Sequence, residues 1–518
     1  MNKEFRSADV LVVGLVLLLG FFKLPHPFMG DQALSLLMAE RLADGGVMYR
    51  DLWDLKHPGI FVFYFLGGSA FGFTELGIHA FELLYMSAFA VTLVWATRDL
   101  FQHRFVASLS PLLVVGVYYV VSHVWHQTQT ESVVGFPLFL ALACRHRALI
   151  ADGAAARWLF ASGLAAGIAL CFKFVLLPIV LAFWITGEWE RQKRELGRPA
   201  GAVVRAGLPL LAGAALPLGA ILIYLLRYDL LPLAAWTFVT YPARAVAEVP
   251  PDFGMLSTGA RWFAATFAPL LPLAAVGAYV ACAGRRFLPV NLLLWLVLGL
   301  GVILIQRISW WPYHYLLLVT PVGLLAAVGI DAMWARVERV AARGFRWPVR
   351  VGAALLLALL LTPLIRAGAS IARRSARYGY GIREEQRIAY QKRVSRDYRE
   401  MASDLDFLPA ASGRPRDLYV FGDPLYYYLA RRQPPVALMA TWFRALPDVW
   451  VDLLERIDRT RPTYIFMSKG AFAEVRKEAP RGIEPLLERT IPFIEARYQL
   501  HHLSPGGTWY ILRTRPAR

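Results

Sequence analysis

The chain has 518 residues, of which 57% are hydrophobic and 18% charged, and its formal net charge is +18 at pH 7. An average soluble domain is about 45–50% apolar and about 25% charged, so this composition argues against a large soluble enzyme and against a disordered or fibrous chain. A basic surplus favours nucleic acid as the partner of a soluble protein, whereas in a membrane protein it reflects Lys and Arg in cytoplasmic loops. We expect no nucleic-acid partner. The three cysteines form no CxxC pair, which argues against a disulfide framework and a cysteine-ligated metal site.

Apolar runs of membrane-spanning length recur along the first 370 residues. A span needs about 20 mostly apolar residues. The first run, at 10–24, is followed by Pro25 and His26 rather than by a small-residue cleavage site, so we interpret it as an uncleaved span. Eleven spans are predicted, at 10–24, 76–97, 105–124, 131–148, 158–172, 173–187, 206–226, 262–283, 288–305, 313–334 and 351–368. The 158–187 region could instead form a single span around Lys173.

The short, Gly-interrupted stretch 58–73 decides the sidedness of everything that follows it. If it does not cross the membrane, nearly every basic loop falls on one side, which the positive-inside rule identifies as the cytoplasm. These basic groups are Arg98 with Arg104, Arg145 with Arg147, the 188–205 loop, Arg285 with Arg286, and the 335–350 loop. We therefore predict that 58–73 lies at the outer interface, with the N-terminus inside and the C-terminus outside.

This topology predicts two domains and one working face. Residues 1–370 form the transmembrane domain, with a first outer loop at 25–75, and residues 371–518 form a soluble extracytoplasmic α/β domain. The tail carries 26 basic and 17 acidic residues, which suits contact with anionic lipid headgroups or with an anionic substrate. Its predicted strands are 417–421, 463–467, 497–503 and 509–512, with helices at 384–407 and 446–457. The elaborate polar segments all fall outside, so we expect the protein to work on that face.

The first outer loop carries the most informative residues. Leu34, Leu37, Met38 and Leu42 recur at helical spacing, which predicts a short interfacial amphipathic helix that Gly45 ends. Asp31 stands at its start. An Asp there is a favoured N-cap, and a carboxylate held just outside the bilayer is also well placed as a general base.

The segment 49–59 (YRDLWDLKHPG) follows, with polar, aromatic and charged side chains in close succession. Lys and Arg at a membrane surface commonly meet lipid phosphates. Tyr49, Trp53 and Lys56 could equally be generic interfacial anchors. Both interpretations stay open from the residues alone.

These residues resemble the C-type (GT-C) glycosyltransferases of the protein mannosyltransferase and aminoarabinose transferase superfamily. The resemblance covers most of the chain by the order and spacing of its motifs. Where the family commonly has Asp-Glu and Lys-Pro-Pro, this chain has Asp31-Gln32 and Lys56-His57-Pro58. The other matching segments are Thr130-Glu131-Ser132, Cys171-Phe172-Lys173, the Tyr- and Pro-containing stretch 311–321, and residues 421–432 of the tail.

The resemblance implies a GT-C-like helical bundle that transfers a sugar from a polyprenyl-phosphate carrier to a lipid, glycan or protein acceptor at the outer face of a bacterial inner membrane. Inverting transfer needs a base for the acceptor hydroxyl, and Asp31 is our choice. It also needs cations beside the departing lipid phosphate. The candidates for this role, with one tyrosine beside them, are Lys56, His57, Arg244, Arg307, Tyr313 and His314.

A second acidic position lies in the next outer turn, at Glu131, with His126 close to it in sequence. Glu131 and His126 could bind the acceptor, Glu131 could ligate a metal together with Asp31, or the turn could simply cap the following span. His123 and His126 do not make a specific metal signal, and the sequence identifies no metal ligands. A divalent ion is compatible with the family, but no ligand cluster requires one.

Two other functions remain open from the sequence. A polymerase or ligase acting on lipid-linked polysaccharide would place key residues in the large late loop 227–261, where Tyr241, Arg244, Glu248 and Asp252 lie. A transporter or flippase of lipid-linked sugars would show repeated halves and helices broken at mid-membrane. No repeat is evident along the chain, which favours the transferase.

Overall fold

The computed structural model describes residues 6–151, 154–194, 200–307, 309–341, 346–438, 446–478 and 482–513. They form two compact units, each assembled from separate parts of the chain. The first unit takes the residues up to Leu24, His79–Leu222 and Phe253–Tyr380. The second takes Pro25–Ile78, Ile223–Asp252 and the residues from Gly381 on. The predicted boundary between residues 370 and 371 stays a prediction; the last apolar helix ends at Tyr378.

The described residues include eight helices that are long and apolar enough to cross a membrane, and nine if one bent pair is a single span. The apolar helices are Ser7–Phe21, Glu75–Thr97, Arg104–Val121, Thr130–Ile150, Ala155–Phe172, Gly207–Arg227, Phe253–Phe267 with Leu271–Gly284, Phe287–Ile305, Pro312–Ala341 and Arg350–Tyr378. A helix lies at each of the eleven predicted positions, since Leu177–Arg194 occupies the remaining one.

The structure refines the sequence interpretation in three regions. The 158–187 run is two helices, because Lys173 adopts an extended backbone between Phe172 and Phe174. The predicted 262–283 span is bent by 90° between Phe267 and Leu271, where Pro269 and Pro272 interrupt the helical hydrogen bonds. The 58–73 stretch forms the 14-residue helix Pro58–Phe71. At 1.5 Å per residue this helix is about 21 Å long, shorter than the roughly 30 Å hydrocarbon core of a bilayer.

Two glycines allow a close helix contact in the first unit, where Leu271–Gly284 packs on Val319–Ala341. A Cβ at Gly277 would lie 1.9 Å from the carbonyl oxygen of Leu325, and a Cβ at Gly329 would lie 2.0 Å from that of Leu273. Each glycine therefore faces the backbone of the opposite helix, as small residues do where membrane helices approach closely.

We expect Gly277→Ala to destabilise this helix pair by about 1–3 kcal/mol, because the backbone of the opposite helix has to move away. Thermal unfolding of the purified chain in detergent measures the effect. Gly301→Ala is the matched control, since a Cβ there meets nothing within 4 Å. An equal unfolding midpoint for both variants would contradict the close approach.

The second unit contains the sheet. Its four strands among the described residues are β1 (Leu418–Phe421), β2 (Tyr464–Ser468), β3 (Tyr498–Ser504) and β4 (Gly507–Leu512), in the order β1-β2-β4-β3. The β1–β2 pair is parallel, and β4 is antiparallel to both of its neighbours. All four strands lie where the sequence predicts them, so the α/β tail is confirmed. Its helices are Glu384–Val394, Arg396–Leu405, Leu425–Leu429, Pro447–Thr460, Ala471–Glu478 and Glu484–Glu495.

The remaining parts of the second unit are the first outer loop and the segment 223–252. The loop contains the helices Gly30–Ala43, called the first-loop helix below, and Pro58–Phe71. The segment 223–252 is helical over Leu231–Glu248, and the helix ends before Pro250 and Pro251. The first-loop helix packs on both Pro58–Phe71 and the tail helix Leu425–Leu429. Its polar face is therefore buried as well as its apolar one, which the amphipathic pattern alone does not indicate.

Candidate functional site

Two carboxylates and one ammonium form a buried group in the second unit, called the Asp31 cluster below. Lys56 Nζ lies 2.6 Å from Asp31 Oδ1 and 3.0 Å from Asp54 Oδ2. The three side chains are between 7% and 18% exposed. The ammonium thus donates to both acids at once, and the group carries one negative charge more than positive if both acids are ionised.

The backbone around the Asp31 cluster is held by its own hydrogen bonds. Gln32 Oε1 accepts from the amide of Met29 at 2.6 Å, so the first-loop helix begins at Gly30 and Asp31 lies inside its first turn. The N-cap interpretation of Asp31 is therefore wrong, because the carboxylate points to Lys56 instead of closing the helix end. The hydroxyl of Tyr49 donates to the carbonyl oxygen of Lys56 at 2.9 Å and fixes the segment that carries the lysine.

Burial and charge act in opposite directions on the members of this cluster. Burial raises the pKa of Asp54, and the nearby Asp31 adds to that rise while Lys56 opposes it. For Lys56, burial acts to lower the pKa, but the two carboxylates outweigh it and the pKa is raised. The lysine is therefore a fixed cation over the physiological pH range.

Tyr49 and Trp53 are not interfacial anchors, because they are only 2% and 4% exposed. Trp53 Nε1 donates to Thr237 Oγ1 at 2.9 Å. His57 precedes the Pro58–Phe71 helix, and its ring stacks on Phe238 at 4.6 Å. Arg244 lies elsewhere in the same unit.

The guanidinium of Arg244 makes a bidentate contact to Asp448, with 2.8 and 2.9 Å between the paired atoms. It also bonds Glu248 at 3.1 Å. These bonds lower the pKa of Asp448 and raise that of Arg244. A phosphate would have to displace both acids, so the proposed contact between Arg244 and lipid phosphate stays a prediction.

The first unit holds a second group, the Glu131 cluster, which consists of Glu131, Lys173 and His314. Glu131 lies in the first turn of the Thr130–Ile150 helix and accepts a hydrogen bond from Lys173 Nζ. His314 Nε2 lies 3.6 Å from the same carboxylate oxygen. Lys173 lies at the break between two helices, where its backbone is extended. This break places its side chain toward Glu131.

The other predicted residues of the first unit contact different neighbours. His126 stacks on Trp262 at 4.6 Å, and its Nδ1 accepts from the amide of His123 at 3.2 Å. Burial lowers the pKa of His126 to about 4, so its ring is neutral at pH 7. Tyr313 meets the ring of His314 edge-on at 4.7 Å. The Nε atom of Arg307 is buried and makes no hydrogen bond among the described residues.

The sequence does not single out two acids that the structure places in buried ion pairs. Asp54 is one of them, although its place two residues before Lys56 was a usable signal, since i and i+2 side chains share a face in extended backbone. Glu40 is the other. It is 5% exposed, pairs with Arg414 and accepts from Gln433 Nε2 at 3.4 Å. No local signal links Glu40 to partners that lie so far along the chain.

The Glu40 contact predicts a pH dependence. Burial raises the pKa of Glu40 to about 7, and Arg414 opposes the rise. An acid whose pKa is raised on folding contributes stability below its ordinary pKa, and that stability is lost as pH rises through the folded value. We therefore expect the thermal unfolding midpoint to decrease as the pH is raised from 4.5 to 7. The decrease should be smaller in Glu40→Gln. Equal pH profiles for the two proteins would contradict the assignment.

Among the described residues, no group of three or more His, Cys, Asp or Glu side chains is arranged to hold a metal ion. The Asp31 cluster consists of two acids bridged by a lysine, and the Glu131 cluster of one acid between a lysine and a histidine. Both arrangements can bind or release a proton and place a cation beside an anion.

No family model matches the chain, and no curated protein does. The chain is similar to the crystal structure of ArnT from Cupriavidus metallidurans bound to undecaprenyl phosphate, with a TM-score of 0.60, 14% identity and 97% of each chain covered. It is also similar to the apo state of that protein, with a TM-score of 0.56, 15% identity and 97% of each chain covered. A third structure, the archaeal oligosaccharyltransferase AglB from Archaeoglobus fulgidus with an inhibitory peptide and dolichol phosphate, matches at a TM-score of 0.46 and 13% identity, over 98% of this chain and 74% of that one.

At these identities the likeness concerns the fold. It extends over both the apolar helices and the α/β tail, since nearly the whole of each ArnT chain is covered. The resemblance read from the ordered motifs between residues 31 and 432 is thereby confirmed for the architecture: this chain is a polytopic helical protein with the ArnT-like GT-C fold.

Proposed function

We propose that the protein is an integral membrane glycosyltransferase that moves a sugar from a polyprenyl-phosphate carrier to an acceptor hydroxyl, with inversion at the anomeric carbon. The observation that carries the proposal is the Asp31 cluster, in which one lysine lies within hydrogen-bond distance of two buried acids. The GT-C fold supports it, as does the undecaprenyl phosphate bound to the similar ArnT structure.

The roles follow from the charge changes of the reaction. The acceptor oxygen attacks the anomeric carbon, its proton passes to the carboxylate of Asp31, and the bond from that carbon to the phosphate oxygen breaks. The carrier phosphate leaves with one more negative charge than it had as a diester. A cation beside it stabilises the transition state more than the bound donor, and Lys56 is the cation that we assign.

Lys56 also connects the two roles. It donates to Asp31 at 2.6 Å, so a phosphate that draws the ammonium away leaves Asp31 with one hydrogen bond fewer and makes it a better proton acceptor. Asp54, at 3.0 Å from the ammonium, stays as the partner that keeps the lysine charged and oriented. Asp54 is thus a positioning residue, since it acts through Lys56.

The Glu131 cluster is the second acidic site of the proposal. Its carboxylate, held by Lys173 and His314, suits hydrogen bonding to acceptor hydroxyls. His57, Tyr313, Arg307 and His126 remain candidates for substrate contact. We further propose that the working face is extracytoplasmic and that the membrane is the bacterial inner membrane.

A transfer assay tests the proposal. The purified chain is incubated with polyprenyl-phosphate sugars carrying a radiolabelled sugar and with membrane lipid and glycan fractions as acceptors. We expect labelled product with the anomeric configuration opposite to that of the donor. Release of free sugar alone, or product of retained configuration, would contradict inverting transfer. Movement of intact labelled donor across sealed vesicles without product would support the transporter alternative instead.

A further inference from the structure

A cavity of about 390 Å³ lies within the second unit, apart from the Asp31 cluster. Four parts of the chain line it: the first outer loop, the helical segment after Leu230, the tail stretch at Ala437 and Leu438, and the tail helix Pro447–Thr460. Its volume falls within the roughly 300–1,000 Å³ of small-molecule sites. Its lining residues are Tyr49, Arg50, Trp53, Leu233, Trp236, Ala437, Leu438, Asp448, Val449, Asp452 and Arg456.

Aromatic rings form one side of the cavity. The rings of Trp53 and Trp236 pack against each other 5.2 Å apart at a tilt of 52°, and Trp236 is the more exposed of the two. The hydrogen bond from Trp53 Nε1 to Thr237 fixes one of them, and Trp236 is partly exposed. Tyr49 is fixed in the same way by its bond to Lys56. A rigid aromatic surface with little rotamer entropy to lose is a good platform for a flat, partly apolar ligand.

The charges of the cavity wall balance one another. Asp452 Oδ2 accepts from Arg456 at 2.7 Å, and Asp448 is held by Arg244 in two hydrogen bonds. Arg50 lies 3.6 Å from Asp51. Two acids and two arginines therefore line the cavity with no net charge, and each has an opposite charge beside it. An anionic ligand would meet two carboxylates and would have to break these pairs.

Aromatic faces beside paired carboxylates and guanidiniums suit a neutral ligand rich in hydroxyl groups. The apolar face of a sugar ring stacks on the indoles, while its hydroxyls donate to acids and accept from arginines. A phosphate needs an excess of cations. An acyl chain would bury the charged side chains of the wall without offering them hydrogen bonds. We propose that this cavity binds a neutral saccharide, the sugar portion of the acceptor, an assignment that rests on the proposed glycosyltransferase function.

The position of the cavity supports the acceptor assignment. Its aromatic wall and the Asp31 cluster belong to one stretch of chain, since Trp53 directly precedes Asp54. The hydroxyl of Tyr49 bonds the backbone of Lys56. The backbone amide of Trp53 also donates to the carbonyl oxygen of Ala437 at 3.0 Å, which ties the tail to the same wall. The residues that line the cavity are therefore connected, through one chain segment, to those that we assign to proton and phosphate chemistry.

Saturation-transfer NMR on the full chain in a detergent without sugar headgroups tests the proposal directly. The probes are the methyl glycosides of glucose, galactose, mannose and N-acetylglucosamine, with inorganic phosphate and glucose 6-phosphate as anionic competitors. We expect binding of at least one glycoside. We expect it to be at least tenfold weaker in Trp236→Ala, which removes a platform, and in Leu233→Trp, which fills the cavity without removing a polar contact.

The controls separate this inference from the proposed function. Trp347→Ala, at a tryptophan that is 76% exposed, should bind as the wild type does. In an active preparation, Trp236→Ala should raise the KM for the acceptor more than it lowers kcat.

Three outcomes would overturn the inference while leaving the transferase proposal intact. The first is an active chain that binds none of the glycosides. The second is binding that both cavity variants retain in full. The third is displacement of the glycoside by inorganic phosphate at equal concentration, which would identify an anion site. Glycoside binding by a chain that transfers no sugar from any polyprenyl-phosphate donor would instead count against the proposed function and remove the acceptor role.

Discussion

Asp31→Asn is expected to lower sugar transfer by about 10²–10⁴-fold while the chain stays folded. The amide has nearly the same shape and still accepts the hydrogen bond that Lys56 Nζ makes at 2.6 Å. It cannot take the proton of the acceptor hydroxyl, so the loss falls on kcat rather than on donor binding. Transfer from a radiolabelled polyprenyl-phosphate sugar, measured against protein quantity and thermal midpoint, checks the prediction.

The matched control is Asp44→Asn, at the exposed far end of the same helix. It changes the same functional group without touching the Asp31 cluster, so transfer should be close to that of the wild type. Asp31→Asn protein that turns over as fast as the wild type would remove the general-base assignment.

Lys56→Ala is expected to impair both folding and catalysis. Removing one partner of a buried ion pair typically costs about 3–5 kcal/mol, because the other charge is left without compensation. Here two carboxylates would face each other, one of them 7% exposed. The carrier phosphate would also lose its cation, which typically lowers kcat by about 10²–10³-fold. Thermal unfolding and sugar transfer measure the two effects separately.

A second substitution separates stability from chemistry. Lys56→Ala combined with Asp54→Asn removes one of the two uncompensated carboxylates and the repulsion between them, so part of the lost stability should return while transfer stays low. Arg431→Ala is the surface control, since that side chain is 72% exposed and such ion pairs contribute little. Recovery of both stability and transfer in the double variant would show that Lys56 has a structural role only.

Much of the fold is readable from the sequence, because membrane spans and buried strands have strong local signals. The run at 463–467 predicts β2, and a continuous apolar run predicts the Phe287–Ile305 helix. The bend after Phe267 was also encoded, in Pro269 and Pro272, but the hydropathy pattern hides it. What the pattern cannot give is which helices are buried on all sides, and the first-loop helix is such a case.

For the candidate sites too, the sequence identifies some of the residues but not the contacts between them. Asp31 and Lys56 stand out because they lie in the polar segment after the first apolar run and match motifs of the family that the chain resembles, yet their direct contact joins residues 25 positions apart. Glu131 meets Lys173 and His314 only because three helix ends come together. The cavity beside Trp53 depends on the tail helix that carries Asp448, nearly 400 residues later in the chain. Contacts of this kind are set by tertiary packing, which local periodicity does not encode.

The discontinuity of the second unit has a consequence for biogenesis. Its first segment ends at Ile78 and its last begins at Gly381. At about 5–20 residues per second, a ribosome needs roughly 15–60 s to make the intervening 300 or so residues. Throughout that time Glu40 has no Arg414 to pair with, and Trp53 has no Ala437 to bond. The first loop therefore stays incomplete until the tail has been made, so truncation of the tail should expose the loop to quality-control proteases.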